Sequence, residues 1–464
     1  MLPLYKELAA LDLAATTKYN ISQEILMENA ARGVYDFLKE HALENKKILI
    51  VTGGGNNGAD GLALARMLPN AFIMTAAEPK SELCKLQFER AKKLGIPSAA
   101  TIDGFEIIID AILGSGISKP LDGEIKALIE KLNQEKSIKI SIDIPSGVRD
   151  GMSACESTFI ANFTLTMGAH KTALYQDYAK DFVGKIVLKN LGLDSQKYTD
   201  GFKPDGYVLD EGDVILPSRA KKSCHKGDFG HLSIISGEMI GASVIAAKAA
   251  VRSGIGLVTI TERDMMLISE PQIMLSVQPP KGANTILVGQ GLGGSYSDDE
   301  IISFISTVQR VVIDADIFKK ECVKDILAMD KKIVLTPHPK EFCSLWEKCT
   351  GEELAVETLQ KDRFGYAQKF TAIYKDKTLV LKGSNTIIAE NGELYVMPLG
   401  SASLAKGGSG DALAGVIASL LAQGYEPLEA AKNGSLMIAL SAANYKGANY
   451  SLTIEDLLEG LKWL

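Results

Sequence analysis

Short, nearly continuous apolar runs alternate with amphipathic or small-residue helical stretches along both halves of the chain. In the first half the runs are KILIVTG (47–53), AFIMTA (71–76), EIIIDAILG (106–114), IKISIDIPSG (138–147) and FTLTMG (163–168). Runs of this length, rich in Ile, Val and Leu and lacking a polar face, predict parallel strands covered by helices on both sides. Ser22 to His41 reads as an amphipathic helix with Ser22 as its cap. Residues 194–224 carry more polar residues, Gly and Pro and no long periodic run, which predicts a domain boundary. The expected domains are 1–205 and 206–464. A second αβ series follows: LSIIS after HKGDFGH, the alanine-rich helix GASVIAAKAAVRSGIG, then strands TILVG (285–289), VVIDAD (311–316), IVLT (333–336) and TLVLKGSNTII (378–388). The series closes on a small-and-apolar helix from Ala412 to Leu421. The expected fold class is α/β in both halves.

At 464 residues the chain exceeds one ordinary core, in keeping with two domains. A net charge of −7 argues against nucleic acid or an anionic membrane surface as the main partner. The six cysteines are scattered without a CxxC pair, so neither a disulfide framework nor a zinc site is expected, and a reducing cytoplasm fits. The N-terminal MLPLYKELAALDLAATT does not read as a secretory leader, and no run of ~18 apolar residues is long enough to cross a bilayer.

In open parallel sheets ligands bind off the strand C-termini, and three polar clusters of the first half fall there. GGGNNGADG (Gly53–Gly61) follows a strand and is expected to open a helix at Leu62. Its Gly53, Gly55 and Gly58 satisfy GxGxxG, with Glu78 about 20 residues on, so an ordinary dinucleotide fingerprint is a rival reading. Asn56, Asn57 and Asp60 are unexpected in such a turn. The second cluster is Asp110 followed by GSGISKP, and the third is Asp143 in SIDIPSG with Ser146 three residues on. Oxygen-bearing groups at three strand ends suit a hard cation and a polar ligand.

The second half holds LAKGGSGDALAG (Leu404–Gly415). Glycines ahead of a helix leave backbone N–H groups open, and the helix dipole adds positive charge, which together make a seat for phosphate. Asp411 inside that seat makes sense as a base acting on a hydroxyl that attacks phosphorus; the plainer reading is a helix N-cap. His338 between two prolines, the aspartates of VVIDAD, GQGLGG (289–294), and Lys382, Gly383, Ser384 and Thr386 all stand at strand ends.

NNGADG, DAILGSG and DIPSG, in this order and spacing, resemble the NAD(P)HX epimerase family over residues 1–205. NAD(P)HX is reduced nicotinamide cofactor hydrated at ring carbon 6. The resemblance implies a Rossmann-like domain in which Asn57, Asp110 and Ser146 coordinate K⁺. It implies that Asn56, Asn57, Gly58, Ala59 and Asp60, with Gly114, Ser115, Gly116, Ile117, Ser118, Lys119 and Pro120, hold the hydrated cofactor. Asp143 would contact the damaged ring as the catalytic carboxylate. Gly54 and Ala59 depart from the family's usual proline and glycine.

HKGDFGHL, GQGLG, DAD, TPHPKEF, KGSNT and GGSGDALAG resemble the ADP- or ATP-dependent NAD(P)HX dehydratases, whose fold is ribokinase-like. By this resemblance Ala242, Gly291, His338 and Asp411 line the substrate site, Asp411 being catalytic. Lys382, Gly383, Ser384, Asn385, Thr386 and Gly410 would hold the nucleotide, with Mg²⁺ accompanying it. Gln290 replaces a proline, and SASLAK (401–406) replaces NPGMAT, setting Lys406 beside the phosphate seat, where it would strengthen phosphate binding or point to solvent. The implied protein is a cytoplasmic bifunctional repair enzyme, epimerising R- and S-NAD(P)HX and dehydrating the S form with ADP. Its partners are NAD(P)HX and ADP or ATP, with homo-oligomerisation expected. The alternative is a ribokinase-type small-molecule kinase with a nucleotide-binding regulatory domain, since GGSGD serves either chemistry.

Overall fold

The computed structural model describes residues 1–117, 119–152, 156–263 and 270–464. The chain divides into two compact units, Pro3–Asp205 and Gly206–Leu464, the latter together with Met1–Leu2. Both are α/β. Among the described residues no helix is long and apolar enough to cross a membrane.

The first unit is built on a six-stranded sheet in the order Ala71–Thr75, Ile48–Thr52, Ile107–Ala111, Ile138–Ile142, Phe163–Met167, Lys185–Lys189. Every neighbour pair is parallel. The strand Ile48–Thr52 is buried at every position. Its Ile48 and Ile50 join one core while Leu49 and Val51 join another, as the two-residue pleat requires of a sheet covered on both faces. The edge strand Lys185–Lys189 was not expected: it is short, begins and ends in lysine and is only partly buried. The chain reverses direction of winding between Ile48–Thr52 and Ile107–Ala111, so the crevice for a ligand opens beside those two strand ends.

The helix expected from Leu62 begins six residues earlier, spanning Asn56–Ala65. Local propensity disfavours Asn, Gly and Asp in a helix; packing overrides it. A Cβ on Gly58 would come 2.0 Å from the Gly53 carbonyl oxygen, so the first turn lies tightly on the preceding loop. Ala59 is helical, without positive φ, and fully buried, so its departure from glycine causes no strain. The helix Gln23–Glu40 is capped as expected, with the Ser22 hydroxyl accepting from Ile25 N–H at 3.3 Å.

In the second unit the strands run in the order Met274–Ser276, Leu257–Thr261, His231–Ile235, Thr285–Val288, Arg310–Ile313, Lys332–Leu335, Lys377–Leu381, Thr386–Glu390, Glu393–Met397, Gly206–Val208. Lys377–Leu381, Thr386–Glu390 and Glu393–Met397 pair antiparallel, and the remaining pairs are parallel. The single strand expected over 378–388 is therefore two strands folded about Lys382–Asn385, because Gly-Ser-Asn is turn chemistry. Helix Ser409–Ala422 is buried from Ala412 onward and lies against helix Ile240–Arg252. A Cβ on Gly415 would fall 2.2 Å from the Ala246 carbonyl oxygen. Gly415→Val should therefore destabilise this unit by about 1–3 kcal/mol, seen as a lower urea midpoint for the unit's unfolding transition.

Candidate functional site

In the first unit, the ends of the sheet strands converge on Asp110, which is fully buried. Its Oδ1 accepts from the Ser146 hydroxyl at 2.6 Å and Ile112 N–H at 3.1 Å. Its Oδ2 accepts from Ser146 N–H at 2.8 Å and the Ser141 hydroxyl at 3.1 Å. Burial still outweighs these four bonds and pushes the carboxyl up to about 6. Asn57 donates its amide to the Leu113 carbonyl at 3.0 Å, leaving Oδ1 buried and without a partner among the described residues. The same Leu113 gives its N–H to Ser146 Oγ at 2.9 Å. Asn57, Asp110 and Ser146 thus form one linked cluster around an unsatisfied oxygen. One carboxylate among neutral hard oxygens balances a single positive charge, so the donor set fits an alkali cation. Among the described residues no group of three or more His, Cys, Asp or Glu could hold a metal ion.

Next to this cluster lies a cavity of about 490 Å³. Asn56, Asn57, Asp60, Gly114, Ser115, Gly116, Ile117 and Asp143 all line it. Gly58 and Ala59 do not: they pack the helix onto its neighbours. Lys119 and Pro120 are exposed and lie off the lining, and Ser118 falls outside the described residues. Asp143 sits at φ +69°, a conformation that non-glycine residues seldom hold and that marks functional sites. Its Oδ1 accepts from Met167 N–H at 3.1 Å and pairs with Lys171 Nζ at 2.5 Å. Oδ2 remains for a ligand. Lys171, Asp12 and Tyr198 also line the cavity and were missed in the sequence. Only Lys171 carried a signal, as a charged residue just beyond the strand FTLTM. Asp12 lies on a helix with no distinguishing motif; it accepts from the Tyr198 hydroxyl at 2.7 Å, and burial raises its carboxyl.

In the second unit the site forms where neighbouring parallel strands end. Gly291, at φ +59°, accepts through its carbonyl from Met239 N–H at 3.0 Å, just ahead of the helix that carries Ala242. Helix Ser409–Ala422 starts beside that helix: a Cβ on its cap residue Gly408 would stand 3.0 Å from Ile245 Cδ1. Asp411 is the third residue of the helix, not its cap, so the N-cap reading fails. The N–H groups of Gly410 and Asp411 have no acceptor among the described residues. These are the free donors that a phosphate seat requires.

Lys382 stands over the same turn, its Nζ 3.4 Å from where a Cβ of Gly410 would lie. The ammonium is held by Asp314 Oδ1 at 3.0 Å, itself buried and accepting from the Thr336 hydroxyl at 2.8 Å. His338 caps the next helix, accepting through Nδ1 from Glu341 N–H at 3.2 Å; burial and the Lys382 charge lower its basicity. The turn bearing Lys382, Gly383, Ser384 and Asn385, ahead of the strand that begins at Thr386, is pinned by the buried Arg363. That guanidinium donates to the carbonyls of Leu381, Lys382 and Asn385 at 3.0, 3.1 and 3.0 Å. Asp314 had a sequence signal in DAD; Arg363, on a helix remote in sequence, had none. Lys406 is exposed, and its Nζ donates to the carbonyls of Tyr450 and Leu452 at 2.7 and 2.5 Å, tying two loops together.

Burial, then the Asp314 charge, push the Asp411 carboxyl up to about 6, with Lys382 opposing. A carboxyl raised in the folded state contributes stability below its unfolded value near 4 and loses it as pH climbs through about 6. Asp411→Asn should therefore stabilise the second unit at pH 8 and be neutral near pH 3, a difference that urea titrations at the two pH values will show.

Residues 232–462 match the family model described as NAD(P)H-hydrate dehydratase, and residues 23–173 match that of the YjeF-related protein N-terminus. The bifunctional NAD(P)H-hydrate repair enzyme Nnr of Helicobacter pylori is 36% identical, with 100% of both chains covered. Its namesake from Dictyoglomus turgidum is 31% identical over 98% of this chain and 96% of its own. A solved ADP/ATP-dependent NAD(P)H-hydrate dehydratase from Bacillus subtilis, co-crystallised with ATP/Mg²⁺, is 28% identical with a TM-score of 0.48, covering 55% of this chain and 96% of that one. A kinase with a regulatory domain is not favoured, since full-length relatives pair the same two halves. The chain belongs to the family of bifunctional NAD(P)H-hydrate repair enzymes, with a parallel-sheet N-terminal domain and a mixed-sheet α/β C-terminal domain.

Proposed function

We propose that the second unit dehydrates (S)-NAD(P)HX at the expense of ADP, giving AMP and phosphate, and that the first unit interconverts the R and S epimers. The observation that carries the dehydratase reading is Asp411 in a helix turn with free N–H donors, beside the Lys382 ammonium. Hydroxide is a poor leaving group and phosphate a good one. Asp411, with a carboxyl near 6, is mostly ionised at neutral pH and can accept the C6 hydroxyl proton as that oxygen attacks the terminal phosphorus. The N–H groups of Gly410 and Asp411, together with Lys382, stabilise the charge that builds on the phosphoryl oxygens. The ring nitrogen lone pair then expels phosphate, and loss of a proton from C5 restores the dihydronicotinamide. Ala242, Gly291 and His338 would border the ring, and Lys382 to Thr386 the nucleotide.

Mg²⁺ bound to the nucleotide phosphates would offset their charge, as in the Bacillus subtilis dehydratase crystals. No three-carboxylate cage is needed for a metal that arrives with its ligand. In the first unit, Asn57, Asp110 and Ser146 would hold K⁺, which supplies a fixed positive charge beside the cavity. Asp143, its Oδ1 committed to Lys171 and Met167 N–H, presents Oδ2 to the ring and stabilises the iminium that forms when the C6–O bond opens. A cytoplasmic location accompanies this reading, since reduced nicotinamide cofactors and their hydrates are found there.

Asp411→Asn should slow dehydration by roughly 10²–10⁴ while epimerisation continues, both followed by return of reduced-nicotinamide absorbance from separated epimers with ADP or ATP. A mutant retaining a near-native dehydration rate contradicts the assignment, and a phosphoester that accumulates instead of NAD(P)H points to a kinase. K⁺ at about tenfold above its Kd should stabilise the first unit by ~1.4 kcal/mol. That gain should vanish in Asn57→Ala, as read from melting curves in KCl against NaCl.

A further inference from the structure

The cavity of the first unit contains three carboxyl groups, Asp12, Asp60 and Asp143, against one lysine, Lys171. The lysine is fully committed. Its three N–H groups meet Asp143 Oδ1 at 2.5 Å, Thr166 Oγ1 at 2.9 Å and the Met167 carbonyl at 3.3 Å, and the side chain is almost wholly buried. Asp143 thereby has an ammonium partner of its own. Asp12 has the Tyr198 hydroxyl as its donor. Asp60 differs from both: held on the rigid helix Asn56–Ala65, it makes no hydrogen bond or ion pair among the described residues. A carboxylate in that position would stand half-buried in the crevice with two other acids lining it and no protein donor to stabilise it.

The charged groups that face Asp60 are Asp143, Asp12 and Lys171. Burial and the two acids hold its carboxyl well above the usual carboxylate range, and Lys171 offsets them only in part. Within one cavity the surroundings therefore separate an acid that has no hydrogen-bond donor from one paired with an ammonium. Such a division marks an acid and its charged counterpart in catalysis.

We propose that Asp60 is the general acid of the first unit, giving its carboxyl proton to the C6 hydroxyl of the hydrated nicotinamide ring while Asp143, paired with Lys171, faces the same ring. This rests on the epimerase reading above. The proton from Asp60 and the C6 hydroxyl leave together as water. The C6–O bonding pair departs with that water, and the ring nitrogen lone pair forms the N1=C6 bond. The new Asp60 carboxylate and Asp143 then flank a cationic ring. A water adds to the opposite face, the N1=C6 pair returns to nitrogen, and the surplus proton passes through solvent in the cavity back to Asp60. No other reactant is consumed.

The test uses the full chain and NADPHX of one epimer, with the uncatalysed rate subtracted. Asp60→Asn keeps the size and polarity of the side chain but has no acidic proton. It should lower kcat for epimerisation by roughly 10²–10⁴, with KM changed only a few-fold. It should also remove the infrared band of a protonated carboxyl from the wild-type spectrum. Dehydration by the second unit of the same sample reports that the variant is folded. The proposal is overturned if Asp60→Asn epimerises at about the wild-type rate, if the loss lies wholly in KM, or if no protonated carboxyl band disappears. A wild-type chain that dehydrates but does not epimerise sinks the epimerase reading instead, which separates the two failures.

Discussion

A parallel sheet covered on both faces has one edge at which chemistry is possible. Strand interiors are committed to apolar burial, as at Ile48, Leu49, Ile50 and Val51 and at Ile107, Ile108 and Ile109, so a polar group placed there meets no solvent and no ligand. At the C-terminal edge the chain turns, backbone N–H groups come free, and helices begin with their positive ends toward the opening. Both units put their candidate site residues on that edge. Asp110, Asp143 and the start of helix Asn56–Ala65 do so in the first. Asp314, Thr336, Lys382 and the start of helix Ser409–Ala422 do so in the second.

Placing carboxyl groups at a half-closed edge has a physical consequence. Desolvation raises the proton affinity of Asp60, Asp110 and Asp411 alike, and each unit counters it differently. Asp110 is compensated by four hydrogen bonds and a neighbouring amide oxygen left open for a cation. Asp411 has Lys382 nearby, but that ammonium is shared with Asp314, which pulls the other way. Asp143 has a lysine of its own. The result is a set of carboxyls with raised proton affinity at the ligand edges of both sheets.

Glycine and alanine make these edges accessible. Helix Asn56–Ala65 has poor intrinsic propensity in its first turns, yet forms because Gly58 allows contact with the loop before it. Helix Ser409–Ala422 reaches its place because Gly415 lets the Ala246 carbonyl approach. In each case tertiary packing supplies what local preference lacks, and the helix start is brought to the ligand side of the sheet.

The alternation of apolar runs with helical stretches was enough to determine two α/β units, since strands buried on both faces need an unbroken apolar run and leave that record in the sequence. Motif residues at strand ends were legible for the same reason: NNGADG, DIPSG and DAD follow such runs, while GGSGD was legible as the glycine-rich start of a small-and-apolar helix. The residues that escaped, Asp12, Tyr198 and Arg363, lie on helices whose pattern is ordinary, and only the folded chain carries them to a strand end far away in sequence. Which donors reach an edge carboxyl was likewise decided by tertiary structure alone: Asp143 receives the Lys171 ammonium, whereas Asp60 makes no hydrogen bond among the described residues. A linear order of residues does not specify which donor reaches which carboxyl.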